Sequence, residues 1–529
     1  MKVADQVAAY LADQGLKRVF GIPGTENLPL IEGLGSRGVD YVLVSHESAG
    51  AFMADAAAYL TNGLQVCVVT RGPGAANLLP GLASAHFDGS PVLAITGEVE
   101  RKRRERFAHQ AFDLDTMYAP VTKGSFYVTA ENAAETLHRA VSLALSERPG
   151  AVRLGLSGAE GSRDAVGRPL PPDVVSAPPP DDAALESLGA RLKGADRPFL
   201  LVGAGVWRAR QAEAFLALAE RLGAPVAATA RAKGVFPESH LAYCGVLSLY
   251  QDAPIRAVMD ESDLILAVGV DGGEFFVDWR HRAPVVSLSA GDADPYFQPS
   301  LHVKGELGSS LSRLASLPAG SGWGEAAARR CRAEIERLFE EGEPCEGALS
   351  PQGAARALRD ILPPDAIVTT DVGSHKLVVG QIWRASGPGH FITSSVVSSM
   401  GGGIPAATAA SLEVPGSPVV AVVGDGGILM SAGELGTLAR LGANVLVVVF
   451  NDSTLSSIRR KQEVARYRPA GVITGKADFA AMAESFGIPG FRATTESDMA
   501  RAVDHWRGSG GPCLLDVAVE YAYYRPMGY

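Results

Sequence analysis

Cysteine is scarce in this chain, long apolar runs are missing, and basic charge is not in excess. The five cysteines among 529 residues form no Cys-x-x-Cys pair, which excludes a disulfide framework and favours reduced thiols in the cytoplasm. No apolar stretch approaches the roughly 18 residues of a membrane span, and residues 1–15 predict an amphipathic helix instead of a signal peptide. The net charge of −10 argues against nucleic acid or an anionic membrane as the main partner.

Short runs rich in Val, Ile and Leu recur along the whole chain. Because they are apolar on both faces, they favour buried parallel strands, and Ala-rich helical segments separate them. This alternation predicts an α/β fold built from doubly wound parallel sheets, with about three domains at roughly 150 residues each. The clearest runs lie at 41–45, 65–70, 92–96, 199–203, 264–269, 419–424 and 444–450.

Two stretches rich in Pro, Gly and polar residues predict linkers. The first covers 168–182, and the second covers 316–324 and 341–353 around a charged helix. Such compositions favour exposed, extended connections. The sequence therefore predicts an N-terminal domain at 1–167, a central domain at 183–315 and a C-terminal domain at 350–529.

Two acidic residues follow predicted strands in the third domain. Asp425 begins a Gly-rich turn with Gly426 and Gly427, and Asp452 follows the next strand. Because parallel strands open their carboxyl ends at one edge of a sheet, the two carboxylates can converge there. Glycines and a helix N-terminus suit a phosphate, and two hard oxygen ligands beside it suggest magnesium holding a diphosphate. The alternative is a tight turn at Asp425 and a helix cap at Asp452.

The chain resembles the thiamin-diphosphate enzymes of the acetolactate synthase and 2-keto acid decarboxylase family. The likeness begins with the Gly-Asp-Gly motif followed by Asn451-Asp452, and it covers nearly the whole chain in order. The other matching segments are 20–34, 45–63, 71–98, 369–376 and 391–407. The resemblance implies that the outer domains bind the pyrimidine and the diphosphate of the cofactor.

The resemblance also implies the residues of the cofactor site. Magnesium would be held by Asp425, Asp452 and the carbonyl of Thr454, although many relatives carry Asn where this chain has Asp452. Met400 matches the bulky residue that bends the cofactor. The remaining cofactor contacts implied by the matching motifs are Pro23, Pro73, Asn77, Gly373, Ser374, His375, Ser398, Gly424, Gly426, Gly427 and Leu455.

Two residues are implied to be catalytic. Glu47 follows a predicted strand and begins a helix, and in the family this Glu binds the pyrimidine ring and activates the cofactor by general acid–base catalysis. A lone Glu at this place would instead be a helix-terminal charge. Gln110 matches a glutamine near the reacting carbon, and its alternative is an ordinary surface residue.

Several departures from the family's patterns narrow the choice of reaction and cofactor. No His-His pair occurs, which weakens a simple pyruvate decarboxylase. The central domain has Gly203-x-Gly205 without the third glycine of a dinucleotide fingerprint. Its segments 245–254 and 267–275 differ from those of flavin-binding synthases, so FAD is not expected. Lys461 stands where biosynthetic synthases place a Trp, and it either pairs with an acceptor carboxylate or faces solvent.

The resulting prediction is decarboxylation of a 2-keto acid, with pyruvate favoured, followed by carboligation to a second carbonyl compound. The alternatives are a non-ligating decarboxylase of benzoylformate or phenylpyruvate type and a flavin-linked keto-acid oxidase. In the family the pyrimidine and diphosphate domains at one site come from different subunits, so the resemblance implies a homodimer or homotetramer. The aromatic tail 520–529 is either a lid or a packed terminus.

Overall fold

The computed structural model describes residues 1–100, 103, 106, 109–111, 113–275, 279, 281–320, 322–340 and 347–527. Cys345, much of the basic cluster 100–107, part of the second predicted linker and the last two residues of the aromatic tail lie outside these ranges. The other four cysteines are buried free thiols.

Within the described residues the strands form three six-stranded sheets whose neighbouring strands all pair in parallel. The first sheet contains β1 (Arg18–Gly21), β2 (Asp40–Leu43), β3 (Gln65–Val69), β4 (Val92–Gly97), β5 (Ser125–Tyr127) and β6 (Val152–Leu156). The second contains β7 (Pro198–Val202), β8 (Val226–Ala228), β9 (Tyr243–Val246), β10 (Leu264–Val268), β11 (Val285–Ser289) and β12 (Leu301–Lys304). The third contains β13 (Ile367–Thr370), β14 (Phe391–Thr393), β15 (Val419–Gly424), β16 (Val445–Asn451), β17 (Gly490–Ala493) and β18 (Cys513–Ala518).

The strand orders confirm the predicted doubly wound α/β fold. They are β2-β1-β3-β4-β6-β5, β12-β11-β10-β7-β8-β9 and β14-β13-β15-β16-β18-β17. In each sheet the chain first adds strands on one side of the starting strand and then crosses to its other side. The strand order therefore reverses next to that strand, at a topological switch point. Such switch points are where open α/β sheets bind ligands.

The helices connect the strands, as parallel pairing requires. Around the first sheet they are α1 (Val3–Asp13), α2 (Leu28–Gly35), α3 (Glu47–Thr61), α4 (Pro73–Asp88), α5 (Leu114–Tyr118), α6 (Ala133–Leu145) and α7 (Gly158–Gly161). The next are α8 (Asp182–Gly194), α9 (Ala204–Arg208), α10 (Ala212–Leu222), α11 (Ala253–Glu261), α12 (Leu307–Leu314) and α13 (Gly324–Leu338). The last are α14 (Pro351–Ile361), α15 (Ser374–Ile382), α16 (Gly403–Glu413), α17 (Asp425–Ser431), α18 (Glu434–Leu441), α19 (Ser456–Val464), α20 (Phe479–Ser485) and α21 (Glu496–Ser509).

The chain divides into two compact units. The first comprises residues 1–176, 397–415 and 431–443, and the second comprises 177–396, 416–430 and 444–529. Within the first unit α16 packs against α3, the helix that begins at Glu47. The three domain boundaries drawn from the linkers stay a prediction.

The cores follow the composition of the strands. β3, β4 and β6 are buried along their full length, as are β7 and β10, because parallel strands in these sheets are covered on both faces. In the predicted linker 168–182, residues 168–181 have no helix or strand, and Asp182 begins α8. In contrast, α13 buries Ala327, Cys331 and Ile335 in the core of the second unit, so this charged helix is more than an exposed connector.

Among the described residues, none of the helices combines the length and the apolarity needed to span a bilayer.

Candidate active site

Asp425 and Asp452 lie at the carboxyl ends of two neighbouring strands. β15 and β16 pair in parallel, with Gly424 opposite Phe450, so the residues that follow each strand emerge at the same edge. Asp425 begins α17, and Asp452 comes directly after β16. The backbone N–H of Thr454 donates to Oδ1 of Asp452 at 3.1 Å. The fold thus brings together the three residues predicted to hold magnesium.

Burial sets the electrostatics of this carboxylate pair. It raises the pKa of Asp425 above its ordinary value, against the hydrogen bonds from Thr474 and Gly426. It raises the pKa of Asp452 to about 7, with a hydrogen bond from Ser456 opposing the rise and the negative charge of Asp425 adding to it. Two carboxylates that repel each other, one buried and one partly buried, fit a divalent cation, which would favour the ionised form of both.

The third predicted ligand is a backbone carbonyl in the loop before α19. The Thr454 carbonyl accepts the N–H of Ser456 at 2.9 Å and lies 3.3 Å from the Ser456 hydroxyl, which also donates to Asp452. When that hydroxyl donates to Asp452, the carbonyl oxygen keeps a second lone pair for a cation. The Thr454 hydroxyl donates to the carbonyl of Val472 at 2.8 Å, and the Leu455 N–H donates to the same carbonyl at 2.7 Å. Among the described residues, no cluster of three or more His, Cys, Asp or Glu side chains is suited to a metal.

His375 lies against the glycines of the predicted diphosphate loop. Its Nε2 is 3.1 Å from Oδ1 of Asp371, and both side chains are buried. A Cβ on Gly424 would come within 3.0 Å of Nδ1 of His375, and a Cβ on Gly427 would come within 2.2 Å of Asp371 Oδ2. The His375–Asp371 pair therefore leaves no room for a Cβ at Gly427 and only a tight fit at Gly424, apart from any need to approach a phosphate.

The other small residues predicted near the diphosphate lie at the starts of two helices, α15 and α17. Gly373 precedes the helix, and a Cβ there would come within 2.6 Å of the His375 ring. The Ser374 hydroxyl lies 3.3 Å from the Tyr250 hydroxyl. Gly426 donates its N–H to Oδ1 of Asp425 at 2.8 Å. Small residues from both segments therefore surround Asp425 and His375.

Glu47 is the first residue of α3 and follows β2 in the first unit. Its side chain is buried, and the Asn77 amide donates to its Oε2 at 3.0 Å. A Cβ on Gly74 would come within 3.1 Å of Oε1 of Glu47, so the start of α4, which Pro73 opens, closes over the carboxylate. The fold therefore groups Glu47 with Asn77 and the Pro73 turn.

The loop before Glu47 is fixed by a carboxylate from a distant part of the same unit. Oε1 of Glu434 accepts the backbone N–H groups of Ser45 and His46, each at 3.0 Å. Glu434 is buried, and burial raises its pKa above the ordinary value. This contact orients the turn from β2 into α3.

The other predicted cofactor residues occupy irregular backbone. Pro23 lies in the loop that follows β1. Ser398, with a φ of 48°, and Met400 lie in the segment 397–415 of the first unit, which also contains Glu47. Gln110 has a φ of 54°, and its side chain accepts a hydrogen bond from Arg71.

The aromatic tail packs into the second unit. Tyr521, Tyr524 and Met527 belong to its core, so the described part of the tail is a packed terminus. Arg525 contacts Glu463 of α19 at 3.0 Å, and Arg459 of the same helix lies 4.0 Å from the Tyr521 ring centroid.

The side chain of Lys461 on α19 is exposed. The neighbouring residues Arg459 and Arg460 instead contact the C-terminal tail. Arg459 contacts Tyr521 and Arg460 donates to the carbonyl of Arg525, so both engage the tail.

Sequence reasoning missed the residues that support the site: Glu26, Arg71, Asp371, Glu434 and Thr474. Asp371 had a local signal, its four-residue spacing from His375, and Glu26 and Arg71 lie inside the matching segments 20–34 and 71–98. Glu434 and Thr474 contact their partners from distant parts of the chain, and no pattern of period 2 or 3.6 indicates such contacts.

Comparisons with known proteins identify the family of this chain and its fold. Three family models match: the thiamine pyrophosphate enzyme N-terminal TPP binding domain at residues 1–118, the central domain at 185–314 and the C-terminal TPP binding domain at 371–517. A thiamine diphosphate-dependent 4-hydroxybenzoylformate decarboxylase of Rhodococcus jostii has the same fold, with a TM-score of 0.85 at 23% identity over 98% of this chain and 99% of that one.

Curated relatives match along nearly the full length. An acetolactate synthase large subunit of Parasynechococcus marenigrum is 34% identical, covering 97% of this chain and 87% of the relative. The acetolactate synthase isozyme 2 large subunit of Escherichia coli is 31% identical, covering 98% and 96%. An acetolactate synthase of Bacillus subtilis is 30% identical, covering 98% and 93%. The chain therefore belongs to the thiamine pyrophosphate enzyme family, in the group that contains the acetolactate synthases.

Proposed function

We propose that this enzyme decarboxylates a 2-keto acid, with pyruvate preferred, and joins the remaining fragment to a second carbonyl compound. The observation that carries the proposal is the pair of carboxylates, the buried Asp425 and the partly buried Asp452, at adjacent strand ends beside the His375 turn. The acetolactate synthase relatives support carboligation as the outcome. The acceptor stays open.

The protein residues have separate roles in this proposal. Asp425, Asp452 and the Thr454 carbonyl would hold magnesium, and through it the diphosphate. When bound, thiamin diphosphate supplies an electron sink that lets CO₂ leave a 2-keto acid. Glu47, oriented by Asn77, would hold and move a proton at its carboxyl oxygen during activation of the cofactor.

We propose that the central domain works without flavin. Gly205 donates its N–H to the carbonyl of Gly269 at 2.8 Å, and a Cβ on Gly203 would come within 2.3 Å of the same oxygen. The backbone of Gly269 thus occupies the place where a glycine turn would present N–H groups to a phosphate. A purified protein that is yellow with bound flavin would contradict this.

We propose a homo-oligomer whose active sites lie between two copies of the chain. In the family, the pyrimidine and diphosphate domains of one site come from different subunits. Exposed apolar side chains near the carboxylate pair support a partner surface, because Leu429 and Met430 of α17 are 44% and 64% exposed and Ile458 of α19 is 48% exposed. Light scattering of the active enzyme at a monomer's mass would overturn this proposal.

The buried free thiols support a reducing compartment, and we propose the cytoplasm.

One experiment tests the reaction and its alternative together. The enzyme is dialysed against a chelator, and pyruvate and a panel of other 2-keto acids are then supplied with and without thiamin diphosphate and magnesium. We expect CO₂ release and a new C–C bond by mass spectrometry only when both are added. An aldehyde as the sole product would make the protein a non-ligating decarboxylase of benzoylformate or phenylpyruvate type. A protein that converts no 2-keto acid would contradict the proposal.

A further inference from the structure

Four side chains form a hydrogen-bonded chain at the carboxyl edge of the first sheet. Glu26 follows β1, and Thr70 and Arg71 follow β3. Nε of Arg71 lies 3.1 Å from Oε1 of Glu26 and donates to Oε1 of Gln110 at 3.3 Å. The Thr70 hydroxyl donates to the second oxygen of Glu26 at 3.2 Å. Both oxygens of Glu26 are thus engaged, and the guanidinium connects it to Gln110.

This chain of contacts adjoins Glu47. A Cβ built on Gly74 would come within 2.7 Å of the Thr70 methyl carbon and within 3.1 Å of Oε1 of Glu47. The Arg71 and Glu26 side chains are only 20% and 12% exposed. The charges of Arg71 and Glu26 neutralise each other. This ion pair can therefore orient a neighbouring side chain without adding net charge beside Glu47.

The direction of the Arg71 bond fixes the orientation of the Gln110 amide. A guanidinium only donates hydrogen bonds, so the amide must turn its oxygen towards Arg71. The amino group of Gln110 then points away from Arg71 and can donate to another oxygen. An amide without such a partner has two orientations related by a flip, and only one of them offers a donor in that direction.

The backbone at Gln110 is held from a second side. Gln110 has a φ of 54° and Gly72 a φ of 61°, and a Cβ on Gly72 would come within 2.7 Å of the Gln110 Cβ. Only glycine allows this approach, so the turn that begins α4 supports Gln110 while Arg71 holds its side chain.

We propose that Arg71, anchored by Glu26, is a positioning residue that fixes the Gln110 amide with its amino group as a donor to a carbonyl or carboxylate oxygen of the 2-keto acid substrate. This inference rests on the proposed function, and it names the group that directs the substrate contact. Arg71 itself acts through Gln110.

A double-mutant cycle tests the inference. R71M, Q110A and the double variant are compared for kcat/KM with pyruvate in the cofactor-loaded enzyme. We expect each single substitution to lower kcat/KM by about 10-fold or more, since small misplacements near reacting atoms have large effects. The double variant should lose no more than the worse single variant, because Arg71 acts through Gln110.

Further variants separate positioning from general damage. R71K keeps the charge opposite Glu26 but lacks the planar fork, so its rate should lie between those of wild type and R71M. R139M removes an exposed arginine paired with Glu135 in the same domain and should keep the wild-type rate. The affinity for thiamin diphosphate should be unchanged in R71M, since the Glu47–Asn77 bond is untouched, whereas general damage would lower it.

Two results would overturn the inference. One is a wild-type kcat/KM in R71M. The other is a double variant whose fold loss in kcat/KM equals the product of the two single losses. If wild-type enzyme converts no 2-keto acid, the proposed function fails by itself. The same cycle measured on urea midpoints then still tests the Arg71–Gln110 contact, and additive shifts of the midpoints would contradict it.

Discussion

The Thr474 hydroxyl donates to Oδ2 of Asp425 at 2.6 Å, although 49 residues separate the two in the chain. The N–H of Thr474 also donates to the carbonyl of Ser453 at 3.1 Å, next to Asp452. The segment 472–474 therefore holds both sides of the carboxylate pair. The bond to Asp425 lowers the pKa of that carboxyl against the effect of burial, and so favours the form that binds a cation.

Thr474→Val should weaken magnesium binding. A hydrogen bond to a charged group contributes about 1.5–3 kcal/mol, so we expect the Kd for magnesium to rise by about 10-fold or more in the presence of thiamin diphosphate. Thr474→Ser retains the hydroxyl and is the matched control. Calorimetric titration measures both, and equal affinities in the two variants would refute the role of this bond.

The two carboxylates should differ in their response to substitution. Asp425→Ala removes a ligand and should weaken magnesium and thiamin diphosphate binding together, because the ion holds the diphosphate. Asp452→Asn should be milder, since an amide oxygen still coordinates. Calorimetry ranks the two. Loss of binding in Asp452→Asn with retention in Asp425→Ala would mean that the ligand roles are wrong.

Magnesium binding should depend on pH through Asp452. The pKa of this carboxyl is about 7 in the metal-free protein, so below about pH 7 a proton must leave before the cation binds. We expect the affinity to fall as the pH decreases from 8 to 6. The fall should be shallower in Asp452→Asn, whose amide carries no such proton. Parallel pH profiles for the two proteins would contradict this account.

Glu47→Gln should remove acid–base function while keeping shape. The expected loss of kcat is about 10²-fold or more, and cofactor binding should survive better than turnover. Glu135→Gln, an exposed change in the same domain, is the control. Steady-state rates with saturating cofactor check the prediction, and a wild-type rate in Glu47→Gln would remove Glu47 from the mechanism.

A buried carboxyl in the central domain should make stability depend on pH. Burial raises the pKa of Glu274 to about 7, with a hydrogen bond from Thr229 opposing the rise. A raised folded-state pKa contributes stability that is present at low pH and is lost as the pH rises through about 7. Glu274→Gln should therefore flatten the decline in unfolding free energy between pH 5 and 8, by roughly 3 kcal/mol at most. Urea unfolding at several pH values measures it, and an unchanged slope would be contrary to expectation.

The sequence by itself determined the fold class and the positions of the chemical groups along the chain. Strands apolar on both faces predict parallel sheets, and the observed β15 (Val419–Gly424) coincides with the predicted run at 419–424. Glu47 follows a strand of the first sheet, whereas Asp425 and Asp452 follow neighbouring strands of the third sheet, whose carboxyl ends share one edge. This is local information, carried by periodicity and by the residues at strand ends.

Only the tertiary structure decided which distant residues support these groups within each unit. Glu434 holds the loop before Glu47 from 388 residues away along the chain, Thr474 holds Asp425, and Arg71 with Glu26 reaches Gln110. A single polar residue in a loop has no period that indicates its partner. Its contacts depend on how the loops of neighbouring strands are arranged at the sheet edge, and that arrangement exists only once the sheets have packed.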